Sequence, residues 1–411
     1  MELKPGYKQT EVGVIPEDWD VKRLRDISPS QSVGLVINPS SYFEANGEVP
    51  MLVGSCISEN KINAEKASRI SSKNSERLSA CRLKAGDLVT VRVGFPGTTA
   101  VVPTELDGCN CASMMIIRRH KSFDSYWLAQ LLNSPIGRVQ IENVEYGTAQ
   151  KQYNISDAID FIFPVPPPAE QSKIAEAAKN FDEYIESLEQ KIEKKRRIKQ
   201  AAMQELLTGK RRLPGFEGEW EVKRLGDIAA LNRNNIVPAL YPDKLFTHYS
   251  LPAFDAEKAE LVEAGASIGS NKFTVPASAV LVSKLNPRIP RAWAPEVVPP
   301  NAVASTEWLI LTPNDGIDRN YLFAVCYSPA FCEQMELAAT GTTGSHQRIS
   351  PSIALDIKIN VTPLRDEQVA ISSLLSDMDS ELSILYERLQ KAREIKQGML
   401  QQLLTGKIRL R

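Results

Sequence analysis

Two pairs of polar loops carry the side chains of this chain that could do recognition chemistry. In the N-terminal half they are Arg92-Val93-Gly94-Phe95-Pro96-Gly97-Thr98-Thr99 and Gly147-Thr148-Ala149-Gln150-Lys151-Gln152-Tyr153-Asn154. In the C-terminal half they are Lys284-Leu285-Asn286-Pro287-Arg288-Ile289-Pro290-Arg291 and Gly341-Thr342-Thr343-Gly344-Ser345-His346-Gln347-Arg348. Arg and Lys suit guanine, Asn and Gln suit adenine, and the backbone amides of Gly-Thr turns suit phosphate. On that chemistry Arg92, Thr98, Lys151, Gln152, Tyr153, Lys284, Asn286, Arg288, Arg291, Ser345, His346, Gln347 and Arg348 are the candidate DNA contacts. The plainer alternative is solvated surface loops that diverged after a duplication.

Catalytic patterns are missing from the same inventory. There is no Gly-x-Gly-x-x-Gly after a strand, no Asn-Pro-Pro-Tyr or Asp-Pro-Pro-Tyr that would hold an amino group for methylation, and no Gly-Lys-Ser/Thr phosphate loop. Asn286-Pro287-Arg288 comes nearest to the methylation motif and lacks its second proline and aromatic. The three histidines, His120, His248 and His346, stand beside no recognisable nucleophile motif. Six cysteines show no Cys-x-x-Cys pair and no histidine at ligand spacing, so reduced thiols and no metal site are expected, Cys109-Asn110-Cys111 being the only suggestive pair. The expectation is a non-catalytic chain.

Bulk properties agree with a globular protein. At 411 residues, 43% hydrophobic and 24% charged, the chain can form two cores of ordinary size. No apolar run is long enough to span a bilayer and no leader is read at Met1-Glu2-Leu3-Lys4, which predicts a cytoplasmic protein. The net charge of −1 is not that of an isolated nucleic-acid-binding domain, although a positive face or a basic partner would suffice.

The elements that position the loops are written twice. Glu170-Gln171 opens a charged helical stretch that closes in Leu206-Leu207-Thr208-Gly209-Lys210, and Glu367-Gln368 opens another that closes in Leu403-Leu404-Thr405-Gly406-Lys407, with both markers 197 positions apart. Helix length is therefore held fixed, as in a ruler. Pro16 to Ile27 reappears as Glu217 to Ile228, offset by 201, while Asp124 to Leu128 matches Asp318 to Leu322, and Gly147-Thr148 with Ile155-Ser156 matches Gly341-Thr342 with Ile349-Ser350, offset by 194. Insertions thus fall inside two heads, where loops tolerate them. The heads read as mixed α/β, with strands at Val49 to Val53, Leu88 to Val93, Met114 to Arg118 and Ile159 to Val165, then Ala279 to Lys284, Trp308 to Thr312 and Ile357 to Thr362. Helices are expected at Ser125 to Leu132 and Arg319 to Tyr327.

In the long helices apolar residues recur four and three apart. Ile174, Ala178, Phe181, Ile185, Leu188 and Ile192 form one seam, and Ile371, Leu375, Met378, Leu382, Leu385, Leu389 and Ala392 the other. Lys195 and Lys199 interrupt the first and Lys396 the second, positions that often set register. Each helix follows a proline and contains none, and 39 residues make a rod of roughly 57 Å. The alternative is that each helix packs on its own head as an ordinary amphipathic element. Because the tail Lys407 to Arg411 stops where the first copy runs on into the second head, the organisation reads as cyclic, with the termini close in space.

The duplicated heads, the Trp-x-Val-Lys-Arg-Leu-x-Asp-Ile opening, the Pro-x-x-x-Glu-Gln helix start and the Leu-Leu-Thr-Gly-Lys helix end resemble the specificity (S) subunit of type I restriction-modification systems across essentially the whole chain. The resemblance implies an α/β fold of two pseudo-symmetric mixed α/β target recognition domains separated by two long antiparallel coiled-coil helices. Its parts would be residues 1–168 and 209–363 for the two domains, 169–208 and 364–405 for the spacer helices, and 406–411 as the tail completing the repeat. It further implies double-stranded DNA as ligand, each head reading half of a bipartite target, and a complex with two methyltransferase (M) and two restriction (R) subunits. S-adenosylmethionine, ATP and Mg would be bound by those partners, with no cofactor on this chain. Two readings from other classes are a coiled-coil scaffold whose heads bind proteins, which the near-neutral charge favours, and a self-sufficient methyltransferase, which the missing motifs oppose.

Overall fold

The computed structural model describes residues 4–256, 258, 260–341 and 347–410. It divides into two compact units, Met1–Leu188 with Arg388–Arg411, and Glu189–Glu387, so each unit contains one head and half of each long helix. No helix among the described residues is long and apolar enough to cross a membrane.

The head of the first unit is built on a four-stranded antiparallel sheet in the order Thr99–Val101, Leu88–Val91, Met114–Ile117, Gln31–Val33. The second unit repeats that order with Ala292–Trp293, Val280–Ser283, Trp308–Pro313 and Ala229–Asn232. Strands Leu88–Val91 and Val280–Ser283 are buried at every position, which explains why they are mostly apolar on both faces rather than alternating, with Thr90 and Ser283 the only polar residues in them. Each head adds a second sheet around one parallel pair, Val49–Leu52 with Asn110–Cys111 and Leu245–Tyr249 with Ala302–Ser305. That sheet has three strands in the first unit and five in the second, and the extra strands are short pieces with no strong sequence signal.

The repeated opening phrase is the base of each head. Asp20–Arg23 pairs antiparallel with Ile162–Val165, and Glu221–Arg224 with Lys358–Val361, the strand that leads into the long helix. Asp26 and Asp227 each accept from the backbone N–H three residues back, at Arg23 and Arg224, capping the one-turn helix that follows. The Arg23 and Arg224 side chains reach Asp160 and Asp356.

Both long helices contain 39 residues, Pro168–Leu206 and Arg365–Leu403. In the first unit the start of one helix and the end of the other lie in a single apolar core with the head: Ile174, Ala175, Leu403 and Leu404 pack with Leu24, Trp127, Leu128 and Phe163. In the second unit Met203, Leu206, Leu207, Ile371 and Leu375 pack with Leu225, Tyr321 and Leu322. The seam and the head contact set apart in the sequence reading therefore coexist on each helix. Along the seam Ile185, Leu188 and Ile192 are buried, as are Leu382, Leu385 and Leu389, whereas Phe181 and Met378 are half-buried.

The seam lysines find partners on the opposite helix. Lys396 Nζ lies 2.6 Å from Asp182 Oδ1 in the first unit, and Lys199 pairs with Asp379 in the second. Asp182 and Asp379, like Lys199 and Lys396, are separated by the 197 residues of the repeat, so both pairs obey one antiparallel register. A second pair in the second unit joins Lys195 to Glu381 at 2.8 Å.

The repeated Glu-Gln and Leu-Leu-Thr-Gly-Lys phrases close the base. Glu170 accepts from Trp19 Nε1 at 3.0 Å and from Arg409 Nε and Nη2, each at 2.7 Å. Arg409 also forks onto both oxygens of Asp18 and lies over the Trp19 ring. In the second unit Arg212 grips Glu367 at 2.6 and 2.7 Å. There Trp220 Nε1 has no partner among the described residues, and Glu367 takes the Thr362 hydroxyl instead. Gln171 and Gln368 accept from the N–H of Asp124 and Asp318, whose own carboxylates cap the head helices Ser125–Asn133 and Arg319–Cys326. At the other end Thr208 and Thr405 donate to carbonyls of the last helical turn. Gly209 and Gly406 then take left-handed conformations (φ +73° and +69°) against the tryptophans, and a Cβ at Gly406 would lie 2.4 Å from Pro16.

Arg409 and Glu170 are 13% and 5% exposed, so removing the cation strands a buried carboxylate. Arg409→Ala should lower the unfolding free energy by about 3 kcal/mol. Arg409→Lys should restore only part, since an ammonium cannot fork onto two carboxylates at once. A urea midpoint unchanged by Arg409→Ala would show that the pair does not hold this unit together.

On strand Leu245–Tyr249, His248 Nδ1 lies 2.7 Å from Glu263 Oε2. Burial pushes the imidazole below its ordinary range, outweighing the upward pull of Glu263, and Lys272 adds to the lowering. The unfolded chain therefore takes up the proton more readily than the folded one. The stability is fully present above about pH 6.5 and is lost as pH falls below it. His248→Gln should flatten the difference in thermal midpoint between pH 7.5 and pH 5.5, and a slope as steep as in the parent would assign it to other groups.

Candidate nucleic-acid interface

In each head one hairpin loop meets one helix-connecting loop at the same end of the four-stranded sheet. Leu88–Val91 turns through residues 92–98 into Thr99–Val101, and Val280–Ser283 turns through 284–291 into Ala292–Trp293. The second loop is closed on itself by a bridge between Tyr146 and Gln152 in the first head and between Thr340 and Arg348 in the second. It is tied to the hairpin by Val93 with Gln152 and by Leu285 with Arg348. Gly94 N–H donates to the Lys151 carbonyl at 3.0 Å, and Asn286 N–H to the Gln347 carbonyl at 2.7 Å. Both donors have positive φ, 96° at Gly94 and 49° at Asn286. The two loop pairs thus share one backbone frame and differ in side chains.

This frame corrects the pairing of the two second loops by two residues. The bridges equate Gln152 with Arg348, hence Tyr153 with Ile349, and both of the latter are 1% exposed. The matching Ile-Ser letters had equated Ile155 with Ile349. The extra two residues lie between Thr340 and Arg348, where a loop lengthens without disturbing the bridges.

The candidate side chains occupy different environments. Arg92 donates from Nε and Nη2 to the Tyr153 carbonyl at 3.3 and 3.2 Å, bracing one loop against the other. Thr98 is 9% exposed and donates to the Phe95 carbonyl. Lys151 is exposed and pairs with Glu145, whose hydrogen bond raises the ammonium pKa. Gln152 is half-buried, with its backbone in the bridge. Tyr153 is a core side chain: its hydroxyl faces Met115 and burial pushes its pKa up, so it anchors the loop from beneath instead of facing outward.

In the second head Arg291 forks onto Asp255 at 2.7 and 3.0 Å and holds that carboxyl below the usual range. Arg348 is exposed and pairs with Glu307. Asn286 is 9% exposed, and its Oδ1 is buried without a partner among the described residues. Lys284 is half-buried and Arg288 exposed, and neither forms an ion pair among the described residues. Gln347 is half-buried, and Ser345 and His346 lie outside the described residues.

Sequence reading missed the braces of these loops. Arg138, on helix Pro135–Glu142, donates to the Pro96 carbonyl at 2.9 Å, and Asn133 receives the Thr99 N–H at 2.9 Å. Nothing local to Arg138 or Asn133 marks them as loop supports, because the contacts span about forty residues. The suggestive Cys109-Asn110-Cys111 proves to be core packing. Asn110 accepts from the Ser75 hydroxyl at 2.6 Å and donates to the Leu78 carbonyl, and burial pushes the Cys109 thiol up to about 12. No group of three potential metal ligands occurs among the described residues.

A family profile described as the type I restriction modification DNA specificity domain matches residues 16–195. The putative type I restriction enzyme MjaX specificity subunit of Methanocaldococcus jannaschii is 24% identical over 98% of this chain and 97% of its own length. The MjaVIII specificity subunit of the same organism is 28% identical over 50% of this chain and 49% of its own. Among solved structures, the type I restriction-modification S subunit from M. genitalium superposes with a TM-score of 0.60 at 14% identity, covering 98% of both chains. A chain from a structure concerned with complex assembly and conformational transition of the type I R-M system gives 0.58 at 17% identity, covering 96% of this chain and 99% of that one. At these identities the solved structures establish the fold. Residues 16–195 match the type I restriction modification DNA specificity domain, and the chain as a whole is similar to a type I restriction enzyme specificity subunit over nearly the full length of both.

Proposed function

We propose that each head of this chain reads one half of a bipartite DNA target, and that the paired helices fix the unread gap and dock methyltransferase subunits. The observation that carries this reading is the loop frame. Two heads hold the same pair of loops by the same bridges, yet the side chains on them differ almost throughout. Equivalent frames with different polar side chains suit two readers of two different sequences. Lys284 and Arg288, which form no ion pair among the described residues, suit phosphate or guanine contacts in the second half-site. Head boundaries at 1–168 and 209–363, with helices between, follow from this division of labour.

The chain is then a non-catalytic cytoplasmic subunit of a prokaryotic complex with two methyltransferase and two restriction subunits. S-adenosylmethionine, ATP and Mg belong to those partners. The small net charge fits a reader that leaves much of the phosphate neutralisation to a partner.

The test is to co-express the chain with its methyltransferase subunit in a methylation-free host and to map N6-methyladenine. The expected product is a split motif with a fixed gap. Exchanging residues 20–160 for those of a relative should change one half of the motif and leave the other half intact. A stable protein complex that methylates nothing would favour the scaffold reading. Arg288→Ala should weaken binding of the cognate duplex about tenfold or more without changing the thermal midpoint, and wild-type affinity would remove Arg288 from the interface.

A further inference from the structure

We infer that Phe95 is a wedge that enters the base stack of the first half-site, an inference that rests on the DNA-reading assignment of the loops. Phe95 is 83% exposed, at the tip of the 92–98 hairpin loop. A ring held in water at a loop tip adds nothing to the stability of the head, and its surroundings show what it is built to meet.

The tip is braced against retraction. Gly94 N–H is tied to the Lys151 carbonyl and Gly97 N–H to the Val91 carbonyl, at 3.0 and 2.8 Å. Arg138 Nη1 holds the Pro96 carbonyl at 2.9 Å, and the Thr98 hydroxyl holds the Phe95 carbonyl at 3.2 Å. Pro96 fixes its own φ. Gly94 and Gly97 take positive φ on either side, and a Cβ at Gly97 would lie 2.3 Å from Ile141. Every backbone restraint in the turn therefore holds the ring outward.

The tip is also not built for phosphate. The carboxylates Glu59, Glu142 and Glu145 line the cleft beside it, and the nearby cations Arg138 and Lys151 are engaged by Glu59 and Glu145. An apolar ring beside cations already engaged by carboxylates is not placed for the charged backbone and suits the faces of stacked bases, between which side chains such as Phe insert and kink the duplex. The second head supports the same role independently. Its hairpin loop, on the same frame, projects Ile289 with 44% exposure beside the exposed Arg288, so both loop pairs present an apolar tip next to their polar readers.

The experiment uses the complex of the full chain with its methyltransferase subunit and a duplex carrying the mapped target. DNA bending is read by energy transfer between end labels, and affinity by titration. Phe95→Ala should reduce the bend and weaken binding by about 5- to 150-fold, the range of one lost aromatic–base stack, whereas Phe95→Trp should keep both. Because the ring is exposed, neither variant should move the thermal midpoint. A Phe95→Ala complex with parental bend and affinity overturns the wedge. So does a variant that no longer co-purifies with the methyltransferase subunit, which would place the ring against protein. In either case the exchange of residues 20–160 still reports on half-site reading separately, so the wedge can fail while that assignment stands.

Discussion

At the base of each head a buried glutamate at the start of one long helix is gripped by an arginine just beyond the end of the other. Glu170 with Arg409 and Glu367 with Arg212 are the same interaction written twice. A buried carboxylate is costly unless it is paired and hydrogen-bonded, so the pair forms only where helix start, helix end and head come together. Once it is formed, the start of one long helix and the end of the other are fastened to the same head. Both helices contain 39 residues, so the same arrangement recurs in each unit.

The seam between the helices adds the register. Leucine and isoleucine side chains alone tolerate a slip by one heptad, but a lysine pushed into the seam needs its acid. Lys396 with Asp182, 15% and 27% exposed, and Lys199 with Asp379 meet their partners in one alignment only. Ion pairs of this exposure contribute modestly to stability, and their weight lies in penalising the wrong alignment.

Much of this was legible in the sequence and some of it was not, for identifiable reasons. The helices announced themselves because a sustained 3.5-residue period and a 197-residue echo are long signals. The central strands were found because Leu88–Val91 and Val280–Ser283 are mostly apolar and β-branched, broken only by Thr90 and Ser283. The reason for the echoing phrases was hidden, since Trp19, Glu170 and Arg409 are brought together from distant parts of the chain. Matching letters also misled by two residues at Ile155 and Ile349, where a loop insertion happens to bring another Ile-Ser into line. Tyr153 read as a loop residue because its neighbours are polar, yet a loop bridged at both ends needs an anchor in the core, and Tyr153 supplies it. The loop side chains gave the chemistry of recognition without its geometry, because their braces, Arg138, Asp255 and Glu307, come from other elements.

In the proposed function the two helices serve as a ruler between the half-sites. Its most direct test is a matched insertion of seven residues in both helices, between Ile185 and Leu188 and between Leu382 and Leu385, which keeps every seam and ion pair in phase. Methylation mapping of the resulting complex should return both half-sites unchanged with a longer gap between them. A methylated motif with the original gap would contradict the ruler, and the length shared by the two helices would then need another explanation.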